Sequence, residues 1–395
     1  MPVITLNAGN MLFKREHLKE DKVESARLTA ELILSANELM KYDAISVGAY
    51  DLSMGIDYLL SRVHESSTPF LSANLYDKRG RLFFKPSLTK DVGGYRVGII
   101  GLLDDGVKLD KVPDGRKLEV ADPYDTAEKL VPKLRKEGAE IIIILTDIKG
   151  GALRKLARTT SGINFIIASD KKNRISLPIV VNDTHISHLD RGGKCVGSLE
   201  VLPANGATDD SRGKVVGKFL LRSSFNQLRL EIPDDPRIAE MVKSAKVHIS
   251  KAQEGELVES GVEESDGGCG TRYVSAPSCK ECHQGRFAWW KTTKHSNAMA
   301  SLVAKQSQFN EECVMCHNLA YECDDGALSM GTLESFKNVQ CESCHGPGEL
   351  HVKSKGEQRM DPVPTRTTCL KCHTPERSPV ENFDYKVKEI CQNKV

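Results

Sequence analysis

The sequence of 395 residues lacks long apolar runs and any excess of charge of one sign. Its longest apolar stretches, 97–103 and 141–145, are far shorter than the roughly 18 residues that a transmembrane helix needs, so no membrane span is predicted. The 55 Lys and Arg residues against 54 Asp and Glu residues give a net charge of +1. Nucleic-acid binding normally requires a strongly basic balance or face, so the composition argues against a nucleic-acid partner.

Cysteine is almost absent from the first 268 residues, where Cys195 stands alone, whereas the other 11 cysteines lie between Cys269 and Cys391. This distribution divides the chain and indicates a specialised C-terminal cysteine module. The segment 253–270 is acidic, rich in glycine and without periodicity, as expected for a linker. We therefore predict a domain at 1–252, a linker at 253–270 and a second domain at 271–395.

The N-terminal part alternates short apolar runs with amphipathic stretches. Apolar residues recur at helical spacing in Glu24–Met40 and Tyr124–Glu137, and a further helix is predicted over Pro236–Ala252. Strands are predicted at Val3–Leu6, Ala44–Val47, Phe70–Leu75, Tyr95–Gly101, Glu140–Thr146, Ile163–Ala168, Leu177–Val181 and Lys214–Leu221. Several of these runs are too uniformly apolar for a strand with one solvent-exposed face. The alternation of strands and helices predicts an α/β sandwich.

The C-terminal part contains four copies of Cys-x-x-Cys-His, the motif of covalent c-type haem attachment. In this chemistry the two thiols add to the two vinyl groups of a haem, and the adjacent histidine ligates the iron. The predicted attachment residues are Cys279, Cys282, Cys313, Cys316, Cys341, Cys344, Cys369 and Cys372. The predicted proximal ligands are His283, His317, His345 and His373. Four covalently attached c-type haems are therefore predicted.

Zinc binding and disulfide formation are two other possible uses of these cysteines. Zinc sites also contain Cys-x-x-Cys pairs, but they do not require a histidine directly after the second cysteine of every pair. Disulfides within the motifs would leave four identically placed histidines unexplained. A disulfide remains open for Cys269, Cys323 and Cys391, which lie outside the motifs.

The stretch Tyr273–Cys391 resembles the multihaem cytochrome c-554 family. The resemblance is carried by CKECH with Trp290 and KHSNAMA, by CVMCH, by VQCESCHGPGELH, and by CLKCH with ENFDY. It implies a mostly helical and irregular tetrahaem domain. It also implies that His295, after the tryptophan, and His351, after the GPG, are distal haem ligands.

Four haems with histidine on both faces would need four distal histidines, and the module supplies two beyond its motifs. His248 is a candidate for a third, while Met299, Met315, Met330 and Met360 are each better explained as apolar packing than as ligands. The resemblance also allows a five-coordinate haem. Such an iron would admit a small ligand.

Residues 1–250 resemble the periplasmic 5′-nucleotidase branch of the metallophosphoesterases, through NAGNMLF, VGAYDLSMGIDYL, SANLYD, IIIILTDIKG, INFIIASDKK and DDPRIAEMV. Those enzymes hold two metals that activate water. The first strand of the family, with its Asp-x-His motif, is missing here. Asn10 stands where the family has a bridging Asp, and Ala49 and Tyr50 replace an Asn ligand and a catalytic His.

Three further family ligands are also replaced. Asp147, Asp170 and Lys172 stand where the resemblance implies metal-ligating histidines, and an ammonium group at Lys172 would oppose two divalent cations. We therefore predict a metal-free scaffold domain. Asp51, Asp147 and Asp170 are explained equally well as solvated loop residues as they are as ligands. His185 and His188 are interpreted as surface histidines.

Haem attachment takes place outside the cytoplasm, yet MPVITLNAGN has neither a basic start nor an apolar run typical of a signal peptide. We expect that a longer precursor supplies it, and we predict a periplasmic or extracellular protein. The favoured function is electron transfer to and from redox partner proteins. The alternatives are a haem enzyme acting on a small nitrogen or sulfur species at a five-coordinate iron, and a metal-dependent nucleotide hydrolase with a haem appendage.

Overall fold

A computed structural model describes residues 2–169, 178–188, 193, 195–206, 208–209, 213–228, 231–259, 273–319, 334, 336–361 and 364–374. The chain forms two compact units, one of residues 1–19 and 29–241 and the other of residues 20–28 and 242–395. Helices in the first 259 residues are α1 (Val23–Met40), α2 (Ile56–His64), α3 (Pro123–Lys136), α4 (Gly151–Thr159) and α5 (Pro236–Glu259).

The strands of the described residues all lie in the first unit. They are β1 (Leu6–Asn7), β2 (Ala44–Ser46), β3 (Phe70–Leu71), β4 (Leu75–Asp77), β5 (Ser87–Val92), β6 (Tyr95–Leu102), β7 (Leu118–Val120), β8 (Ile141–Thr146), β9 (Phe165–Ala168), β10 (Ile179–Val181), β11 (Thr184–His188), β12 (Cys195–Pro203), β13 (Lys214–Val216) and β14 (Phe219–Gln227). The largest sheet has the order β10-β11-β9-β8-β6-β5. Three smaller sheets have the orders β1-β2-β3, β12-β14-β13 and β4-β7.

Strand β8 is the centre of the first unit, and all six of its residues are buried. It pairs in parallel with β6 and β9. Because side chains alternate along a strand, Ile142 and Ile144 pack with α3 and α4, whereas Ile143 and Leu145 pack with residues of the two three-stranded sheets. The predicted α/β layering, with strands buried on both faces, is confirmed for this part of the chain.

Local signals explain where several elements begin and end. Asp122 caps α3 by accepting hydrogen bonds from the N–H groups of Tyr124 and Asp125, and Pro123 occupies the first helical position. The run predicted as one strand over Phe70–Leu75 is divided into β3 and β4. The run over Lys214–Leu221 is a hairpin rather than a single strand, since Gly217 adopts a φ of 56° between β13 and β14.

The interpretation of His185 and His188 as surface residues is wrong, because both are buried on β11. The two ring nitrogens of His185 lie 3.3 Å from Ser187 Oγ and 3.2 Å from Ser223 Oγ. Burial lowers the pKa of His185 to about 4, so its ring is neutral near pH 7. These polar partners allow a histidine to replace an apolar core residue.

In the second unit, short helices alternate with irregular segments, as predicted. They are α6 (Ser275–Lys280), α7 (Gln284–Trp290), α8 (Ala298–Val303), α9 (Glu311–His317), α10 (Cys341–His345), α11 (Glu349–Lys353) and α12 (Arg366–Leu370). Helix α5 extends to Glu259, seven residues into the segment expected to be a linker, and residues 260–272 lie outside the described ranges. Over the described residues, the helices lack the combination of length and apolarity needed to cross a membrane.

Candidate functional sites

Each of the four Cys-x-x-Cys-His motifs forms a turn of helix. The second and third motifs lie entirely within α9 and α10, while the first and fourth begin in α6 and α12 and continue into the following turn. In the first and fourth motifs the histidine N–H donates to the carbonyl of the first cysteine at 2.9 Å. Positions i, i+3 and i+4 share one face of a helix, so both thiols and the imidazole of a motif can reach the same group.

The two predicted distal ligands, His351 and His295, each lie beside a motif histidine. The ring centres of His283 and His351 are 6.1 Å apart, and their planes are nearly parallel at 11°. The ring centres of His295 and His373 are also 6.1 Å apart, with planes inclined at 67°. Two imidazoles that bind opposite faces of one metal through bonds of about 2 Å would place their ring centres about 6 Å apart. The separation of the ring centres in both pairs is compatible with a shared iron.

Backbone carbonyls fix the orientation of three histidine rings in the C-terminal part of the chain. The Nδ1 atoms of His317, His345 and His351 lie 2.8, 2.6 and 2.8 Å from the carbonyl oxygens of Ala298, Asp361 and Gln358. Since a carbonyl only accepts, each Nδ1 must carry the proton, and Nε2 keeps the lone pair that a metal requires. For His295, burial and the neighbouring His373 and His317 rings lower the pKa, which favours the neutral ligating form.

Among the described residues, neither His317 nor His345 forms a histidine ring pair like these two, although His317 is a neighbour of His295. His248 lies exposed on α5. Met299 is 7% exposed and packs with Leu302, Phe309 and Val314 as an apolar core residue. Met330 lies outside the described residues.

Contacts link the motifs in two pairs. The thiols of Cys279 and Cys341, from the first and third motifs, interact, which raises the pKa of Cys279 and lowers that of Cys341. Cys316 Sγ of the second motif lies 4.0 Å from the carbonyl oxygen of Lys371 in the fourth. These contacts bring the first motif beside the third and the second beside the fourth.

In the first unit, the loops at the carboxyl ends of parallel strands converge on Asp51. Its carboxylate is fully buried and accepts four backbone N–H bonds of 2.9 Å, from Asn10, Met11, Leu12 and Gly48. Burial raises the pKa of Asp51, and the four donors oppose that rise. The prediction of a solvated loop residue is wrong for Asp51, because its carboxylate joins the backbones of two loops.

Asp147 has the same role at the end of β8. It is 1% exposed and accepts hydrogen bonds of 2.8 Å from the N–H groups of Ala49 and Asp104, so the solvated interpretation is wrong here too. Burial raises the pKa of Asp147 to about 6. The oxygens of both carboxylates thus accept hydrogen bonds from the backbone N–H groups of loops.

The replaced family positions Asn10 and Tyr50 are joined by a hydrogen bond. Asn10 has a left-handed φ of 58°, and its Oδ1 accepts from the Tyr50 N–H at 2.8 Å. A Cβ on Gly48 would lie 2.5 Å from Asn10 Oδ1, which explains glycine there. No group of three or more His, Cys, Asp or Glu side chains suited to a metal ion occurs in the described part of the chain. Asp170 and Lys172 lie outside it.

Comparison with known proteins finds similar proteins for both parts of the chain. Residues 278–346 match the family "Cytochrome c554 and c-prime", a range that includes the first three motifs. Cytochrome c-554 of Nitrosomonas europaea is 32% identical over 85 residues, which are 18% of this chain and 36% of that protein.

The N-terminal part is similar to nucleotidases. A 5′-nucleotidase of Vibrio cholerae is 31% identical over 108 residues, which cover 27% of this chain and 20% of the relative. The chain thus spans only part of the length of the relatives it matches. Among solved structures, the sulfate thiohydrolase SoxB of Thermus thermophilus aligns with a TM-score of 0.52 and 19% identity, over 62% of this chain and 42% of that one.

These findings support the fold and the arrangement expected from the two resemblances. The N-terminal part shares its fold with that solved structure, and the described C-terminal residues are helical and irregular. These matches support a fused two-domain arrangement, with an N-terminal part similar to 5′-nucleotidases and a C-terminal part that matches the cytochrome c554 family over residues 278–346.

Proposed function

We propose that this protein is an electron-transfer cytochrome with four covalently attached c-type haems. The observation that carries the proposal is the placement of His351 opposite His283 and of His295 opposite His373, each with ring centres 6.1 Å apart. Apolar packing does not favour a particular distance between two imidazole rings. Ligation of one iron by two imidazoles does set that distance, and both pairs have it. Haem supplies an iron that gains and loses single electrons.

The chain's own residues hold the haems in three ways. The eight motif thiols attach the porphyrins covalently, and the four motif histidines supply the proximal nitrogens. The carbonyls beside His317, His345 and His351 keep Nε2 directed to the metal. Large apolar side chains that are exposed beside the motifs, among them Met315, Leu350 and Leu370, would be covered by the porphyrin rings.

The contacts between motifs support transfer from haem to haem. Because the first motif adjoins the third and the second adjoins the fourth, their attached groups would be neighbours in two pairs. Electrons would then leave for a separate redox protein, in the periplasm or at the cell surface. We assign this function to a domain at 271–395, and we propose 1–252 as a scaffold domain and 253–270 as their connection.

A second candidate function is suggested by His317 and His345, because the described residues supply neither of them with a paired imidazole like those of His283 and His373. A proximal histidine alone would leave one face of the iron open to a small nitrogen or sulfur species. A spectrum of the reduced protein with added carbon monoxide distinguishes the two functions. A pure carrier with filled axial positions binds no carbon monoxide, whereas each five-coordinate iron binds one.

We propose that the N-terminal domain is not a phosphoesterase. Two-metal hydrolysis needs carboxylates that face the ions, but Asp51 and Asp147 direct their oxygens to backbone N–H groups. We therefore expect the haem-loaded chain to hydrolyse nucleotides and simple phosphoesters at background rate with manganese, zinc or magnesium. A 5′-nucleotidase under identical conditions is the positive control, and a metal-dependent rate far above background would contradict the proposal.

A further inference from the structure

Glu342 lies between the two cysteines of the third motif, yet its side chain is directed away from water. The residue is 2% exposed, and the hydrogen bonds that its carboxylate accepts from described residues all come from backbone N–H groups. Oε1 accepts from Val274 at 3.0 Å and from Gly348 at 2.7 Å. Oε2 accepts from Ser275 at 2.8 Å and shares the Val274 N–H at 3.2 Å. A carboxylate buried in this way is a fixed junction between the segments that donate to it.

The two segments that Glu342 joins each lead to one histidine of the same pair. Val274 and Ser275 begin helix α6, which carries Cys279 and leads directly to His283. Gly348 is the residue before α11, which carries His351. The carboxylate therefore holds the start of the segment bearing the proximal histidine and the start of the helix bearing the distal one.

The fit around this carboxylate is close. A Cβ on Gly348 would lie 3.1 Å from Glu342 Oε1, so the backbone at this glycine can approach the carboxylate. Ser275 has a left-handed φ of 65°, which costs conformational energy at a residue other than glycine. On the other side of Cys341, Gln340 Oε1 accepts from the Ala276 N–H at 2.5 Å. The residues flanking Cys341 thus fix the first turn of α6.

We propose that Glu342 is a positioning residue for the first haem, acting from within the attachment motif of the third. Its carboxylate sets the separation between His283 and His351 through the backbone N–H groups of Val274, Ser275 and Gly348. This inference rests on the proposed haem ligation. The axial ligation of the first haem would then depend on a side chain that lies within the attachment motif of the third haem.

The test compares Glu342→Ala and Glu342→Gln with Glu281→Gln in the full-length haem-loaded protein. Glu281 occupies the equivalent interval of the first motif but is exposed. Glutamine keeps the size of Glu342, but its NH₂ group cannot accept a hydrogen bond. At least one of the backbone N–H groups therefore loses its acceptor. We expect four haems in each variant, and one more carbon monoxide bound per chain than wild type in Glu342→Ala. Glu342→Gln should give a partial change in the same direction, and Glu281→Gln none.

Added imidazole should restore the low-spin spectrum of Glu342→Ala, because it replaces the displaced His351. Combining Glu342→Ala with His351→Ala should add no high-spin haem beyond that of His351→Ala alone. Wild-type carbon monoxide binding in four-haem Glu342→Ala overturns the inference and leaves the proposed function intact. If both Glu342 variants fail to incorporate haem while Glu281→Gln succeeds, Glu342 serves folding rather than ligand positioning, which also overturns it. A haem-free wild type overturns the proposed function itself.

Discussion

Replacing His351 by alanine is expected to convert one of four haems from low spin to high spin and to add one carbon monoxide binding site per chain. The imidazole lies 6.1 Å from that of His283, so its loss opens one iron and leaves the other three unchanged. His295→Ala should open the haem of His373 in the same way, and the double variant should open two. Electron paramagnetic resonance of the oxidised protein and carbon monoxide titration of the reduced protein measure both effects.

The assignment of each pair has its own control. In a chain whose first motif carries Cys279→Ala and Cys282→Ala, the haem of His283 is absent, so His351→Ala should cause no further spin change. His64→Ala is the matched control, since that histidine is exposed on α2 and has no proposed role in haem ligation. Unchanged spectra in both His295→Ala and His351→Ala would show that the distal assignment is wrong.

Substituting Asp51 by asparagine is expected to destabilise the N-terminal unit by about 2 to 6 kcal/mol. The amide keeps one acceptor oxygen, so two of the four backbone donors lose their partner, and each buried unsatisfied group costs roughly 1 to 3 kcal/mol. Hydrogen exchange in peptides covering β8 reports the change locally, which avoids a two-state treatment of a two-unit chain. Protection there should fall by roughly 30-fold or more.

The control for Asp51 is Asp57→Asn on α2, because Asp57 is exposed and its nearest cation, Lys117 Nζ, is 3.8 Å away. That substitution should change protection little, as expected for a surface ion pair. Equal protection in the Asp51 and Asp57 variants would contradict the structural role assigned to Asp51. It would also reopen the possibility that this carboxylate is available to a metal.

The sequence was most informative where one physical signal dominated. The uniformly apolar run that forms β8 predicted a strand buried on both faces, because no other environment suits six such residues. The hairpin at Gly217 was missed, since an apolar run does not show where its backbone reverses. His185 and His188 were misplaced because polarity alone suggested the surface, whereas the partners of His185 come from β11 itself and from the distant β14.

For the haem sites, the motif spacing identified attachment residues, and the family resemblance supplied His295 and His351. Which distal histidine faces which motif histidine required tertiary structure, because the partners are 68 residues apart for His283 and His351 and 78 for His295 and His373. Glu342 was missed for the same reason, although its place inside the CESCHGPGELH string was a signal. The roles of Asp51 and Asp147 were missed because sequence shows a carboxylate but not the amides it faces.

We propose that four haems are covalently attached through the eight motif cysteines. The most direct test is the intact mass of the denatured chain, produced in a host competent in cytochrome maturation and extracted with acid acetone. We expect a mass increase equal to four haems, reduced by one haem in each of four variants that lack the cysteines of one motif. A chain without covalently bound haem, or a mass increase unchanged by removing a motif, would contradict covalent attachment at these cysteines.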